Sequence, residues 1–217
     1  MAAEPGLRER KKQRTRELIA EAALRLFSAR GFDAVTVAEV AREADVSEGT
    51  VFNYFPRKED LLYHRMEAFE AELLAAIRGR QPGESVLGAF GRFVTTPRGL
   101  LASEGGTERL AAIPRVITES PALLAREREI LAGYTGSLAA LLAQETGARP
   151  GDITPWVVAN ALMGIHRALI DDARRGILAG RPSPALGRAV RAQARRAIAR
   201  LEAGLGDYAV RPPGHDL

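Results

Sequence analysis

Four side chains in one short stretch, Glu48, Thr50, Asn53 and Tyr54, carry groups that hydrogen-bond to nucleic acid: a carboxylate, a hydroxyl, a carboxamide and a phenol. They belong to residues 36–55, TVAEVAREADVSEGTVFNYF. Ser47 stands directly before them as a helix N-cap, so a helix starts abruptly there. Its first amide N–H groups and its dipole then suit phosphate. Small and polar residues on such a helix let it sit deep in a major groove. Glu48 is the discordant member, because phosphate repels a carboxylate unless it accepts from a cytosine amino group.

Other chemistries find no footing. The 217 residues include no cysteine, which removes disulfides, thiol catalysis and thiolate metal sites. The histidines, His64, His166 and His215, are far apart and form no HxxxH pair. Ser103-Glu104-Gly105-Gly106-Thr107 lacks the lysine of a phosphate-binding loop, and GxSxG is absent. Asp171 and Asp172 are adjacent and so point to different faces of a helix. An enzyme, a cofactor and a metal are not expected.

The elements that must position the four side chains are helical. Ala, Leu, Arg and Glu dominate, and no sustained alternation of strand type occurs. A first helix over residues 10–30 carries Leu18, Ile19, Ala22, Ala23, Leu26 and Phe27 at helical spacing, and Gly31 stops it. Thr36 and Glu39 form a capping box for a second helix over 37–44. The third covers 48–55, with Pro56 ending it. Two short helices joined by about three residues have the arithmetic of a helix-turn-helix. Ala41 lets them approach, and Val40, Val46 and Val51 point inward. A fourth helix runs over 58–78, a fifth over 84–96 and a sixth over 107–118 bent at Pro114. Ser120-Pro121, Thr154-Pro155 and Ser183-Pro184 open three longer ones, to about residues 146, 179 and 205. Pro97-Arg98-Gly99 and residues 103–106 read as loop. The expectation is an all-α chain of about nine helices: a domain at 8–62, a second helical bundle at 63–205 and a disordered tail at 206–217.

The stretch from Arg10 to Leu62, with SARGFDAVTVAEVAREADVSEGTVFNYFPRKEDLL inside it, closely resembles the N-terminal domain of TetR-family transcriptional regulators. The matching pieces are Phe27 to Phe32, Thr36 to Ala41, Val46 to Phe55 and Lys58 to Leu61. The resemblance implies that Thr36 caps its helix and touches a phosphate, and that Ser47 and Glu48 open the recognition helix. Gly49 then permits close backbone approach, Thr50 meets phosphate or base, and Asn53 reads a base edge. Tyr54 and Lys58 bond phosphates. Two positions depart from the family pattern. Asp45 stands where glycine is usual, and aspartate tolerates the left-handed turn. Glu48 stands where a basic residue is common.

The same resemblance implies that the second domain binds a small-molecule effector and forms a homodimer through its last two helices. The regulator would then be a cytoplasmic repressor on a pseudo-palindromic DNA operator, and the effector would change the spacing of its two heads. A fainter likeness in the C-terminal part, to regulators of acyl-CoA-like ligands, implies that effector class. Phe90, Phe93, Arg115, Tyr134, Asn160 and His166 are the candidate effector residues, each equally explained as core or surface. Residues 156–166, with Ala159, Leu162, Met163, Gly164 and Ile165, and the last helix, with Leu186, Val190, Ala194, Ala197, Ile198 and Leu201, read as a dimer face or as intrachain core. A regulator without effector, controlled by a protein partner, is the alternative.

Charge agrees with one DNA-facing end. The net charge is only +4, from 31 basic and 27 acidic residues, but Arg8 to Arg16 holds six basic residues and one acid. That run either tracks phosphates or is a solvated face, as is the arginine-rich last helix. No apolar run reaches the roughly 18 residues of a membrane-spanning helix, and residues 1–16 have no apolar core of a secretory signal.

Overall fold

The computed structural model describes residues 6–64, 66–96, 107–205 and 207–211, the side chains of Leu7, Glu67, residues 107–110 and Ser183 excepted. Among these residues there are ten helices and no strand: α1 (Leu7–Arg30), α2 (Val37–Glu43), α3 (Glu48–Tyr54), α4 (Asp60–Tyr63), α5 (Met66–Arg78), α6 (Val86–Thr95), α7 (Thr107–Glu119), α8 (Pro121–Thr146), α9 (Thr154–Leu178) and α10 (Ser183–Leu205). The single helix expected over 58–78 is therefore α4 and α5. His64 keeps helical dihedrals, and Arg65 lies outside the described residues, so the count of nine or ten turns on one junction. The loops expected at 97–99 and 103–106 also lie outside them.

The chain divides into two compact units: Met1–Glu67 with Ala112–Glu127, and Ala68–Ala111 with Arg128–Leu217. The first thus takes in residues beyond the expected boundary at 62. Long-range polar bonds account for that. The Tyr63 hydroxyl donates to the Leu123 carbonyl at 3.0 Å, Arg126 Nε donates to Asp60 at 3.0 Å, and the Ser120 hydroxyl donates to Asp33 at 3.2 Å. The core of this unit is Ile19, Ala22, Ala23 and Phe27 of α1, with Val40, Val51, Phe55 and Leu61. Leu18, expected on the apolar stripe, faces solvent. Phe27 and Phe32 pack with ring centroids 5.0 Å apart.

In the second unit α10 packs on α9 and α6. Leu169, Leu186, Val190 and Ala194 form a buried cluster covered by Val94, Ile165, Ala173 and Ile177. A side chain at Gly176 would run into Leu186, so this glycine is what lets α9 and α10 close on each other. Ala159, Leu162 and Met163 are also buried within the single chain. The residues read as a dimer face or core are therefore mostly core, because both helices spend their apolar stripes on each other and on α6. The outward face of α9 is instead Trp156, Val157, Asn160 and Gly164.

The expected disordered tail is corrected in part. Gly83 N–H donates to the Arg211 carbonyl at 2.7 Å, and Arg211 N–H donates to the Glu84 carbonyl at 3.2 Å. Arg80, 5% exposed, donates to the Ala209 carbonyl at 3.0 Å and pairs with Glu145 at 2.5 Å. Backbone pairing and a buried guanidinium thus fix residues 207–211, a pattern that polar, Pro/Gly-rich composition does not reveal. Residues 206 and 212–217 lie outside the described residues.

Candidate nucleic-acid interface

Two local caps build the helix-turn-helix. The Thr36 hydroxyl accepts from Glu39 N–H at 3.2 Å, and the Glu39 carboxylate accepts from Thr36 N–H at 2.8 Å. Arg30 adds an ion pair to Glu39 at 2.7 Å. The Thr36 amide, with Arg30 and the Thr36 hydroxyl behind it, holds the Glu39 carboxyl down at about 2. The turn passes through Asp45 at φ 55°, the left-handed conformation that aspartate was expected to tolerate. Val46 N–H closes it on the Ala41 carbonyl at 2.9 Å. Ser47 then caps α3 by accepting from Thr50 N–H at 3.1 Å, and the two hydroxyls lie 2.8 Å apart.

Val51 and Phe55 anchor α3 in the core. Its outward face is Glu48, Gly49, Phe52 and Asn53, while Thr50 and Tyr54 are half-buried at its margins. An open depression of about 560 Å³ between α2 and the start of α3 is lined by Ala38, Ala41, Arg42, Asp45, Val46, Ser47 and Glu48. Arg42 is exposed there, a cation six residues before Glu48 and outside the helix-turn-helix contact motif. The basic run is helical throughout, since α1 begins at Leu7. Its Arg8, Arg10, Lys11, Lys12 and Arg14 are all exposed.

Lys58 does not face outward with this set. Its Nζ donates to the Phe32 carbonyl at 2.6 Å and sits 4.1 Å from the centroid of the Phe32 ring. Burial lowers its pKa, against the charges of Asp33, Glu59 and Glu39. The ammonium ties the start of the α4 region to the α1–α2 loop.

The second unit holds a different cluster. Phe69 of α5 stacks on His166 of α9 at 4.3 Å between centroids and 20° between planes. Phe93 of α6 and Tyr134 of α8 lie against the same ring at 5.3 and 5.8 Å. Burial pushes the His166 imidazole down to about 4, so it is neutral at pH 7. Three of the candidate effector residues, Phe93, Tyr134 and His166, are thereby brought together. Phe90 is buried on α6. Asn160 is exposed and donates to the Trp156 carbonyl of its own helix at 2.8 Å. Arg115 is exposed and belongs to the first unit.

Known proteins match this arrangement at both ends. The model of the tetR family of bacterial regulatory proteins matches residues 19–64, and that of the MftR C-terminal domain, of TetR type, matches residues 102–206. The chain belongs to the tetR family. Membership makes it a DNA-binding transcriptional regulator, and its relatives are regulators, not enzymes. HTH-type transcriptional regulator TcmR of Streptomyces glaucescens is 34% identical over 148 residues, which is 66% of this chain and 65%, just under two thirds, of that relative. NalD, the secondary repressor of the MexAB-OprM multidrug efflux pump in Pseudomonas aeruginosa, shares the fold with TM-score 0.55 at 19% identity, covering 85% of this chain and 97% of its own. The transcriptional regulator FadR of Bacillus subtilis, solved in complex with stearoyl-CoA, does so with TM-score 0.50 at 20% identity, covering 82% and 96%.

Within this family framework two residues escaped the motif. Phe52 lies on the outward face of α3, one position from the buried Val51, and only the three-dimensional face distinguishes the two. Phe69 is the hub of the aromatic cluster. Its spacing to Leu73 and Ile77 on α5 is an ordinary core stripe, and the partners that single it out come from three other helices.

Proposed function

We propose that this tetR-family chain is a cytoplasmic, homodimeric repressor that reads a pseudo-palindromic operator with α3 and is released by a small-molecule effector held in the second unit. The observation that carries the DNA half is the α3 face: capped at Ser47, anchored by Val51 and Phe55, and exposed at Glu48, Gly49 and Asn53. Asn53 suits bidentate contact with adenine, and Glu48 suits a cytosine amino group. Ser47, Thr50, Tyr54 and Thr36 flank this face, where hydroxyls meet phosphate. A second copy docks on the outward faces of α9 and α10, where Trp156, Val157 and Gly164 stand beside the small Ala185, Ala192 and Ala199.

The effector reading rests on the cluster of Phe69, Phe93, Tyr134 and His166. Its rings are apolar and its imidazole uncharged, a setting for an apolar chain or a flat ring system. The stearoyl-CoA complex of the FadR fold neighbour and the fainter C-terminal likeness favour an acyl-CoA. The test is fluorescence anisotropy on duplexes selected from a random pool by the full chain. Asn53→Ala is expected to relax base preference at one position per half-site by roughly tenfold, and stearoyl-CoA is expected to release the wild-type protein. Selection of no duplex would refute the operator reading. Release by no acyl-CoA would refute the effector class and favour control by a protein partner.

A further inference from the structure

One large aromatic ring of α3 is left half exposed. Val51 and Phe55, each 1% exposed, point into the core, while Phe52 is 48% exposed. Phe52 stands one turn after Glu48 and Gly49, and all three are exposed on the same stretch of α3. Gly49 is itself unexplained by the chain. It shows no positive φ, and an added Cβ would meet nothing nearer than the Ser47 hydroxyl at 3.8 Å. Gly49 is the second residue of α3, where glycine has no propensity advantage over alanine, and no contact among the described residues requires it. What Gly49 provides is bare backbone one turn before an exposed apolar ring, open to an outside surface.

We propose that Phe52 is a specificity-determining residue that reads thymine, its ring packing on the C5-methyl group in the major groove while Gly49 lets the helix settle to that depth. The inference rests on the operator reading of α3. Among the major-groove edges only thymine presents an apolar group. A phenyl ring has no donor for phosphate, and pressing it on the polar edge of another base would leave groups unpaired. Glu48, one turn before it, carries a carboxylate that phosphate repels, so the side chains of this face are directed to base edges, with the phosphate contacts left to the flanking hydroxyls.

The experiment replaces thymines of the selected operator one at a time by deoxyuridine, which pairs identically and lacks only the methyl. Wild-type, Phe52→Ala and Phe52→Leu proteins, checked for equal melting temperature, are titrated on each duplex. The expected result is one thymine per half-site at which uracil weakens the wild type about three- to tenfold, the worth of roughly one or two buried methyl groups. Phe52→Ala then binds the thymine and uracil duplexes alike at that position, and Phe52→Leu keeps part of the preference. A uracil penalty that persists undiminished in Phe52→Ala overturns the inference while leaving the operator reading intact, as does the absence of any uracil-sensitive position. Failure to select any duplex overturns both.

Discussion

The helix-turn-helix and the aromatic cluster solve the same problem, holding a few side chains in a fixed constellation, by opposite means. In the first, each constraint spans a few residues: Thr36 with Glu39, Asp45 in the turn, Ser47 with Thr50. In the second, Phe69, Phe93, Tyr134 and His166 arrive from four helices and meet only after the unit has packed. Locally capped helices keep their surface side chains free for an external partner. A cluster assembled over long range is instead inseparable from the core around it, so whatever enters it is felt by the whole unit. That difference suits a reader of DNA on one side and a sensor of small molecules on the other.

The comparison breaks most readily at the long-range end. Arg80→Ala removes a guanidinium that holds Glu145, the Ile77 carbonyl and the Ala209 carbonyl, and should cost roughly 2–3 kcal/mol of stability. Denaturant unfolding checks it, with loss of protection at residues 207–211 in hydrogen exchange. Protonation of His166 comes next. Its folded pKa of about 4 lies below the ordinary value of 6.5, so the unfolded state takes up the proton first. Stability is unaffected well above pH 6.5, falls as the pH drops toward 4, and below that has lost roughly 3 kcal/mol from this group. Melting curves between pH 7 and pH 4.5 should show a smaller drop for His166→Gln than for the wild type.

The local end should yield smaller and more separable effects. Thr36→Ala and Ser47→Ala each should cost about 1 kcal/mol by loss of a cap, and the two losses should add, since each cap is closed within its own helix. Lys58→Met sharpens the division within the head. With its ammonium engaged on the Phe32 carbonyl and ring, the substitution should lower stability by roughly 1 kcal/mol and leave the salt slope of operator binding unchanged. A phosphate contact would instead reduce that slope by about 1.

Legibility in the sequence followed the same line. The capping box at Thr36 and Glu39, the left-handed Asp45, the cap at Ser47 and the Ser-Pro and Thr-Pro starts of α8, α9 and α10 were all readable, because each signal and its consequence lie within one turn of chain. The attachment of residues 112–127 to the first unit was not. It depends on Tyr63 reaching Leu123 and Asp60 reaching Arg126. Nor was the capture of residues 207–211 by Arg80 and the Gly83–Glu84 backbone, or the inward turn of Lys58. Each is a bond between residues distant in sequence, made by side chains or amides whose types are common on surfaces. Ala159, Leu162 and Met163 were legible as apolar but not as to which surface they would cover, since α9 can bury that stripe against its own chain or another copy.

The most direct test of the account is the stoichiometry and symmetry of the DNA that the full chain selects from a random duplex pool. The account predicts two half-sites in inverted orientation, their centres separated by about one or more helical turns of DNA, bound by two chains and released when stearoyl-CoA is added. Enrichment of a single unpaired half-site bound by one chain, or of no sequence at all, would contradict it.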